Sequence, residues 1–233
     1  MSGQRVAVAG GGSLAAAVSA AGAEPVDPGD DAAAFVLAAG EAALVDVARR
    51  GVSVPVLPVD AGAGTRSVPA EAATAAVERV LAGDADTEPR PVLRAGPDEL
   101  ALFDVALLAA EPARISGFSI RYAGDLLAEF RADGVVASTP TGSVGYNRAA
   151  EGPLVAAGTG LAAVVPIAPF QTTTDRWVLP PGDLALAVER DETPVELLLD
   201  GRVERTVSPG DPVSLSADDG IEILVVAESR DFF

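Results

Sequence analysis

The sequence predicts an α/β N-terminal domain followed by a β-rich, β-sandwich-like C-terminal domain. Three observations carry that expectation. Residues 1–88 alternate short apolar runs with Ala-rich stretches of helical spacing. Residues 89–233 hold many short β-branched runs divided by turn pairs. A chain of 233 residues, 49% of them hydrophobic, can bury more than one core.

The N-terminal elements follow one another in order. Arg5–Ala9 is an apolar run ending in Gly10-Gly11-Gly12, and the Ala-rich Ser13–Ala21 follows it. Phe35–Ala38 is a second apolar run, followed by Glu41–Arg50, whose Leu44, Val47 and Ala48 share one helical face. Val52–Val56 is β-branched, and in Pro69–Leu81 the residues Val77 and Val80 are spaced helically. Strands alternating with helices argue for a parallel sheet. Gly83–Pro89, rich in Asp and closed by Pro89, reads as a linker. Beyond it the expected strands are Pro91–Ala95, Leu100–Leu108, Ala113–Tyr122, Leu126–Phe130, Val135–Ser138 and Ala162–Ala168. Leu184–Val188, Val195–Asp200, Val203–Val207, Val213–Ala217 and Ile221–Val226 complete the set. Ala123-Gly124, Asp133-Gly134 and Asp200-Gly201 are turn pairs between them. The C-terminal end is expected to pack back on the first domain.

Composition narrows the function classes. The chain carries a formal charge of −18, its 16 basic residues are all Arg, and it has no His and no Cys. A nucleic-acid partner needs a basic footprint, which is missing. Without Cys there are no disulfides or thiolate metal sites, and without His or Lys there is no imidazole base and no phosphate-binding Lys. Acid–base work falls to Asp, Glu or Tyr. No apolar run is long enough to cross a bilayer, and the start of the chain lacks the regions of a signal peptide, so a cytoplasmic protein is expected. A Lys-free, carboxylate-rich surface suits a salt-rich cytoplasm, where the repulsion between acids is screened; a high-GC genome, which also favours Ala, Gly, Arg and Asp, is the alternative source of the bias.

Two glycine-containing turns stand out. Gly10-Gly11-Gly12-Ser13-Leu14-Ala15 loosely fits a dinucleotide-binding fingerprint, but a tight strand-to-helix turn accounts for it better, since that spacing is easily met by chance in a chain with 24 Gly. Ser138-Thr139-Pro140-Thr141-Gly142-Ser143 is more specific. Pro140 ends a strand, Gly142 gives conformational freedom, and Ser143 is a good N-cap for a helix through Ala149. Hydroxyls and free N–H groups at such a helix start suit ribose and phosphate oxygens.

Taken with Asp133-Gly134, Tyr146 and Gly152-Pro153-Leu154, this run resembles the NAD kinase family. Further matches lie in order: Leu102-Phe103-Asp104-Val105, Pro112-Ala113-Arg114 with Phe118, Pro166-Ile167-Ala168-Pro169, and Leu199-Asp200-Gly201. The resemblance is strong over residues 98–205 and plausible in register over 35–66. It implies an α/β nucleotide-binding domain over residues 1–88 and a β-rich NAD-binding domain over 89–233. The implied reaction moves the γ-phosphoryl group of ATP (or of polyphosphate) to the 2′-hydroxyl of the adenosine ribose of NAD, with Mg²⁺ as cofactor. It also implies a homo-oligomer, a dimer or a tetramer, binding NAD(H) and ATP.

By motif match, Asp104 meets the ribose hydroxyls, and Thr141 with the backbone at Gly142 lies against the adenosine. Tyr146 packs on the ribose–phosphate region, Asp133 reaches the nicotinamide end, and Thr139, Ser143 and Asp200 complete the substrate-binding set. The family's Gly-Gly-Asp-Gly phosphate loop aligns with Ala38-Ala39-Gly40-Glu41, so Gly40 occupies the position of the catalytic Asp. Glu41 is the nearest substitute carboxylate and the candidate catalytic base. An acid in the first turn of a helix is equally favoured by the dipole. Phe103 replaces an Asn, Val144 stands where a Thr is usual, and Val59-Asp60-Ala61-Gly62-Ala63-Gly64 keeps the shape of the family's Asn-Leu-Gly-x-Leu-Gly segment without its Asn. The resemblance leaves two further readings open: a nucleotide-binding or regulatory relative without turnover, and a kinase of another hydroxyl substrate.

Overall fold

A computed structural model describes residues 4–111, 114–170 and 175–233. Pro112 and Ala113 of the family match lie outside the described residues. The chain divides into two compact units, residues 1–90 with 220–233, and residues 91–219.

The first unit is a parallel α/β sheet. Its elements in order are β1 (Arg5–Ala9), α1 (Gly12–Ala20), β2 (Glu24–Val26), β3 (Phe35–Ala39), α2 (Gly40–Arg49), β4 (Val56–Val59) and α3 (Ala73–Ala82). The strands lie in the order β2-β1-β3-β4, and β1 pairs in parallel with both β2 and β3. Val6, Leu37, Leu57 and Val59 pack with Leu14 and Val18 of α1 and with Ala73, Ala76 and Val77 of α3. Successive strand side chains alternate faces, so Ala7, Val36 and Ala38, all buried, look the other way, where α2 lies on β1, β3 and β4. One connection leaves β1 for one side and the next leaves β3 for the other. The carboxyl ends of β1 and β3 therefore form the switch point at which doubly wound sheets bind ligands.

Residues 86–89, expected in a linker, instead begin the strand β5 (Asp86–Arg94). Their pattern is polar and mostly exposed, so no apolar period announces a strand, and the pairing that makes one is non-local.

The second unit continues with β6 (Leu100–Ala101), β7 (Asp104–Ala109), β8 (Ser116–Tyr122), β9 (Asp125–Ala132), β10 (Gly134–Ser138), α4 (Pro140–Ser143) and α5 (Tyr146–Ala149). Then come β11 (Ala162–Ile167), β12 (Trp177–Leu179), β13 (Leu184–Arg190), β14 (Val195–Leu199), β15 (Arg202–Val207) and β16 (Val213–Val225). A six-stranded antiparallel sheet runs β12-β11-β10-β7-β14-β15. β9, β8, β13 and the opening half of β16 form a second antiparallel layer. Period-two alternation sends Val105, Leu107, Val135, Ala137, Val164 and Leu197 of the first layer against Phe118, Ile120, Leu184 and Leu186 of the second. The expected β-sandwich is the result.

β16 joins into one strand the two that the sequence suggests, running straight through Asp218-Asp219-Gly220. The ion pair of Asp218 with Arg94 helps hold that polar stretch extended. The closing half of β16 belongs to the first unit, where Ile223 pairs in parallel with Val56.

Candidate functional site

In the second unit the site begins at the end of β10. Gly134 opens that strand because a Cβ there would lie 2.4 Å from the Leu107 carbonyl oxygen; no side chain fits where the turn crosses β7. Asp133 is thereby held at the turn by its own amide, which donates to Ile167 O at 3.0 Å.

At the other end of β10 the chain turns into α4, and the cap differs from the expectation. Thr139, not Ser143, is the N-cap: its Oγ1 accepts from the amide of Gly142 at 3.1 Å. Pro140 occupies N1, where its fixed φ fits the helix and its missing N–H costs nothing. Ser143 lies inside that turn and donates to Pro140 O (2.7 Å) while accepting from the amide of Val155 (3.0 Å). The single helix expected through Ala149 is two short ones, broken at Val144-Gly145, where Gly145 adopts φ −96°, ψ −119°. Gly142 is packed onto β7's entry, since a Cβ there would lie 2.0 Å from Phe103 O.

This turn brings the predicted residues into one neighbourhood. Ser138 pairs across the sheet with Asp104, a buried acid only 8% exposed. Tyr146 is half-exposed, and its hydroxyl titrates above the ordinary tyrosine range, first because of partial burial and then because of the charges of Asp104 and Asp133. Asp104, Asp133 and Tyr146 therefore share one electrostatic environment. Thr141 Oγ1 and Ser138 Oγ are fully buried and have no hydrogen-bond partner among the described residues. A buried hydroxyl without a partner costs roughly 1–3 kcal/mol, so two at one turn set this neighbourhood apart. Asp200 and Thr139 point differently: their oxygens meet the main chain of residues 102–104.

Sequence reading missed Asn147. It is fully buried and donates from Nδ2 to Ser143 O (3.1 Å) and Pro153 O (2.8 Å), tying Gly152-Pro153 to the motif. Its place four residues after Ser143, one helical turn on, was the available signal.

In the first unit, Ala38, Ala39, Gly40 and Glu41 form the junction of β3 and α2. Gly40 has φ +77° with open space around its Cα, so this loop turns in a left-handed conformation without crowding. Glu41 is exposed in the first turn of α2, and its Oε2 lies 3.7 Å from where a Cβ of Gly62 would stand. Gly10 needs to be glycine: φ is +89°, and a Cβ would lie 2.5 Å from Ala43 Cβ and 2.7 Å from Ala39 O. The two glycine turns thus touch at the switch point. A cleft of about 230 Å³ opens there, lined by Ala9, Gly10, Ala39, Ala43, Asp46 and Arg50 among others. The loop after β4 is twisted by left-handed Asp60, Gly62, Gly64 and Arg66 and tied by Thr65 Oγ1 to Gly62 O at 2.8 Å. Arg66 and the fully buried Arg90 both pair with Glu88. Among the described residues no three His, Cys, Asp or Glu side chains cluster as metal ligands, and no helix is long and apolar enough to cross a membrane.

The chain is similar to known proteins in sequence and in fold. Residues 103–224 match the family model of the ATP-NAD kinase C-terminal domain. The NAD kinase of Chlorobium phaeovibrioides is 30% identical over 209 residues, covering 85% of this chain and 74% of that protein. The NAD kinase of Geotalea daltonii is 32% identical over 212 residues, with the same shares covered. In fold, the chain superposes on an NAD kinase from Archaeoglobus fulgidus in complex with ATP with a TM-score of 0.77 at 20% identity, covering 94% of this chain and 93% of that one. The yeast NADH kinase complexed with NADH also superposes with a TM-score of 0.77, at 17% identity, covering 98% and 85%.

Proposed function

The chain belongs to the NAD kinase family, and from that membership we propose that it transfers the γ-phosphoryl group of ATP to the 2′-hydroxyl of the adenosine ribose of NAD. The observation that carries the proposal is the shared environment of Asp104, Asp133 and Tyr146 at a turn whose Thr141 and Ser138 hydroxyls are buried without a partner among the described residues. Asp104 accepts hydrogen bonds from ribose hydroxyls, Thr141 Oγ1 and the backbone at Gly142 meet the adenosine, and Tyr146 packs on the ribose–phosphate region. Asp133 serves the nicotinamide end, where its carboxylate favours the cationic ring of NAD. Ala38, Ala39 and Gly40 offer the backbone of the phosphate loop.

In the transfer, the bond from the 2′-oxygen to the γ-phosphorus forms as the bond from that phosphorus to the β–γ bridging oxygen breaks. The hydroxyl proton leaves to a carboxylate, for which Glu41 is the candidate. Mg²⁺ would arrive with the nucleotide, held mainly by its phosphate oxygens and water, and would supply neutralisation of phosphate charge. Polyphosphate is the other donor of the right chemistry. A homo-oligomer, dimer or tetramer, in the cytoplasm completes the proposal, and light scattering in molar KCl reads its state.

A second reading is favoured by one feature, Gly40 in the place of the catalytic Asp. On that reading the chain binds nucleotide without turning it over. The deciding assay supplies NAD, Mg²⁺ and ATP or polyphosphate in molar KCl and follows NADP with a coupled dehydrogenase. NADP formation that disappears in Glu41→Ala supports the kinase with a relocated carboxylate. No NADP, with NAD still raising the melting temperature, gives the binding-only protein. If NAD neither reacts nor shifts melting, both readings fail.

A further inference from the structure

Between β6 and β7 the chain leaves strand geometry at Leu102-Phe103. Such a break releases backbone groups that must find other partners when buried. Here the accounting is complete, and two side chains dominate it. The amides of Leu102, Phe103 and Asp104 donate to the carboxylate of Asp200 at 3.1, 2.7 and 3.3 Å. Asp200 returns its own amide to Asp104 O at 3.0 Å. Thr139 Oγ1 donates to Leu102 O at 2.7 Å, and the amide of Thr139 donates to Phe103 O at 2.9 Å. Every backbone N–H and C=O of residues 102–104 is thus taken by Asp200 on one side and Thr139 on the other. Gly142 lies against the same segment and leaves no room for it to shift.

The two clamping residues come from different places. Asp200 sits in the turn after β14 with φ +51°, and Thr139 sits at the end of β10. A carboxylate has about four lone-pair directions, and three of those on Asp200 face main-chain amides. Thr139 Oγ1 both donates to Leu102 O and accepts from Gly142 N, so it joins the clamp to the turn that carries Thr141.

We propose that Asp200 and Thr139 are positioning residues that fix the carboxylate of Asp104 by pinning its backbone, and that neither needs to touch the nucleotide. The kinetic consequence rests on the NAD kinase reading; the placement of Asp104 does not.

Two readouts separate these. The first needs no nucleotide. The chain has two Tyr, so in a Tyr122→Phe background the ultraviolet titration reports Tyr146 alone, whose ionisation is opposed by the charge of Asp104. Asp104→Asn lowers that titration midpoint. Asp200→Asn, which sets an amide N–H against main-chain N–H groups, lowers it as well. Thr139→Val lowers it without changing any charge, and Thr139→Ser, keeping the hydroxyl, restores it. Adding Asp104→Asn to either clamp variant lowers it no further than Asp104→Asn alone.

The second readout is the KM for NAD against kcat. Asp104→Asn raises KM by about tenfold, the worth of one well-placed hydrogen bond to a charged group. The clamp variants raise it by no more than that, and the double variants are no worse than Asp104→Asn. A Tyr146 midpoint unmoved by both Asp200→Asn and Thr139→Val overturns the proposal, as does a KM effect of Asp200→Asn that adds fully to that of Asp104→Asn. If wild type shows no NAD turnover or binding while the Tyr146 pattern holds, the clamp stands and the kinase reading is what fails.

Discussion

Replacing Gly142 with Ala adds one methyl group at the most crowded glycine of the motif. Its Cβ would lie 2.0 Å from the Phe103 carbonyl oxygen, 2.5 Å from that carbonyl carbon and 2.9 Å from Phe103 Cα. All three atoms are backbone, and the segment is held by Asp200 and Thr139, so no flexible side chain can absorb the overlap. Overpacking a tight core costs about 1–3 kcal/mol, and a contact with pinned backbone belongs at the upper end. At about 3 kcal/mol, a protein of this size loses roughly 6–12 °C in Tm. The overlap also displaces Phe103, next to Asp104, so KM for NAD rises along with the loss of stability. The assay is differential scanning calorimetry in molar KCl, paired with the coupled kinase assay. Gly12→Ala is the control: its Cβ would meet nothing within 4 Å, and it opens α1, where Ala is the better helix former. That variant should melt at or slightly above wild type. If Gly142→Ala melts with wild type and keeps its KM, the close approach of the motif turn to Phe103 is refuted, and the clamp argument loses its third wall.

Three further outcomes follow from the same structure. Thr141→Val deletes a buried hydroxyl that has no partner among the described residues, so Tm holds or rises while KM for NAD increases roughly two- to tenfold; a clear fall in Tm would mean that the hydroxyl is bonded within the protein. Burial opposes ionisation of Glu88, but hydrogen bonds from Arg66 and Arg90 outweigh it and hold its carboxyl below the usual glutamate range. A depressed carboxylate contributes stability that is present above the ordinary value and is lost as pH falls through the folded one. Wild type should therefore lose stability steadily as pH falls below 4.5, and Glu88→Gln should be less stable at neutral pH with a flatter acid limb; equal slopes in denaturant-monitored pH profiles would exclude the linkage. Finally, a net charge of −18 repels itself over a Debye length of about 10 Å at 0.1 M salt but about 3 Å at 1 M, so Tm rises by several degrees from low to molar KCl, and a flat curve would sink the salt-adaptation reading.

Much of this was legible in the residues because local pattern carried it. The alternation of Arg5–Ala9, Ser13–Ala21, Phe35–Ala38 and Glu41–Arg50 announced the parallel α/β unit, and short apolar runs such as Val135–Ser138 and Val195–Asp200, divided by turn pairs, announced the sandwich. Only the opening of β5, residues 86–89, was read as a linker, and β2 and β12, of three residues each, went unseen. These strands exist through distant pairing rather than their own apolar period. The cap at Thr139 was misplaced onto Ser143 because both are good capping residues; Pro140 at N1 and the geometry of Thr139 Oγ1 decide between them.

The sequence alone determined the family, the two kinds of unit and the set of acids available to do chemistry, since these depend on residue identity and order. Only the tertiary structure decided what those residues face. Ser138, Thr139, Thr141 and Ser143 are four hydroxyls in six consecutive positions, and sequence cannot rank them. Two are satisfied by carbonyls from Leu102 and Pro140, and two are buried with no partner among the described residues. Asp104 and Asp200 are equally acidic on paper, yet one carries its charge to Tyr146 and the other holds three amides. The physical reason is that a hydrogen bond depends on where a partner stands after the chain has closed over nearly a hundred residues, and no local pattern records that position.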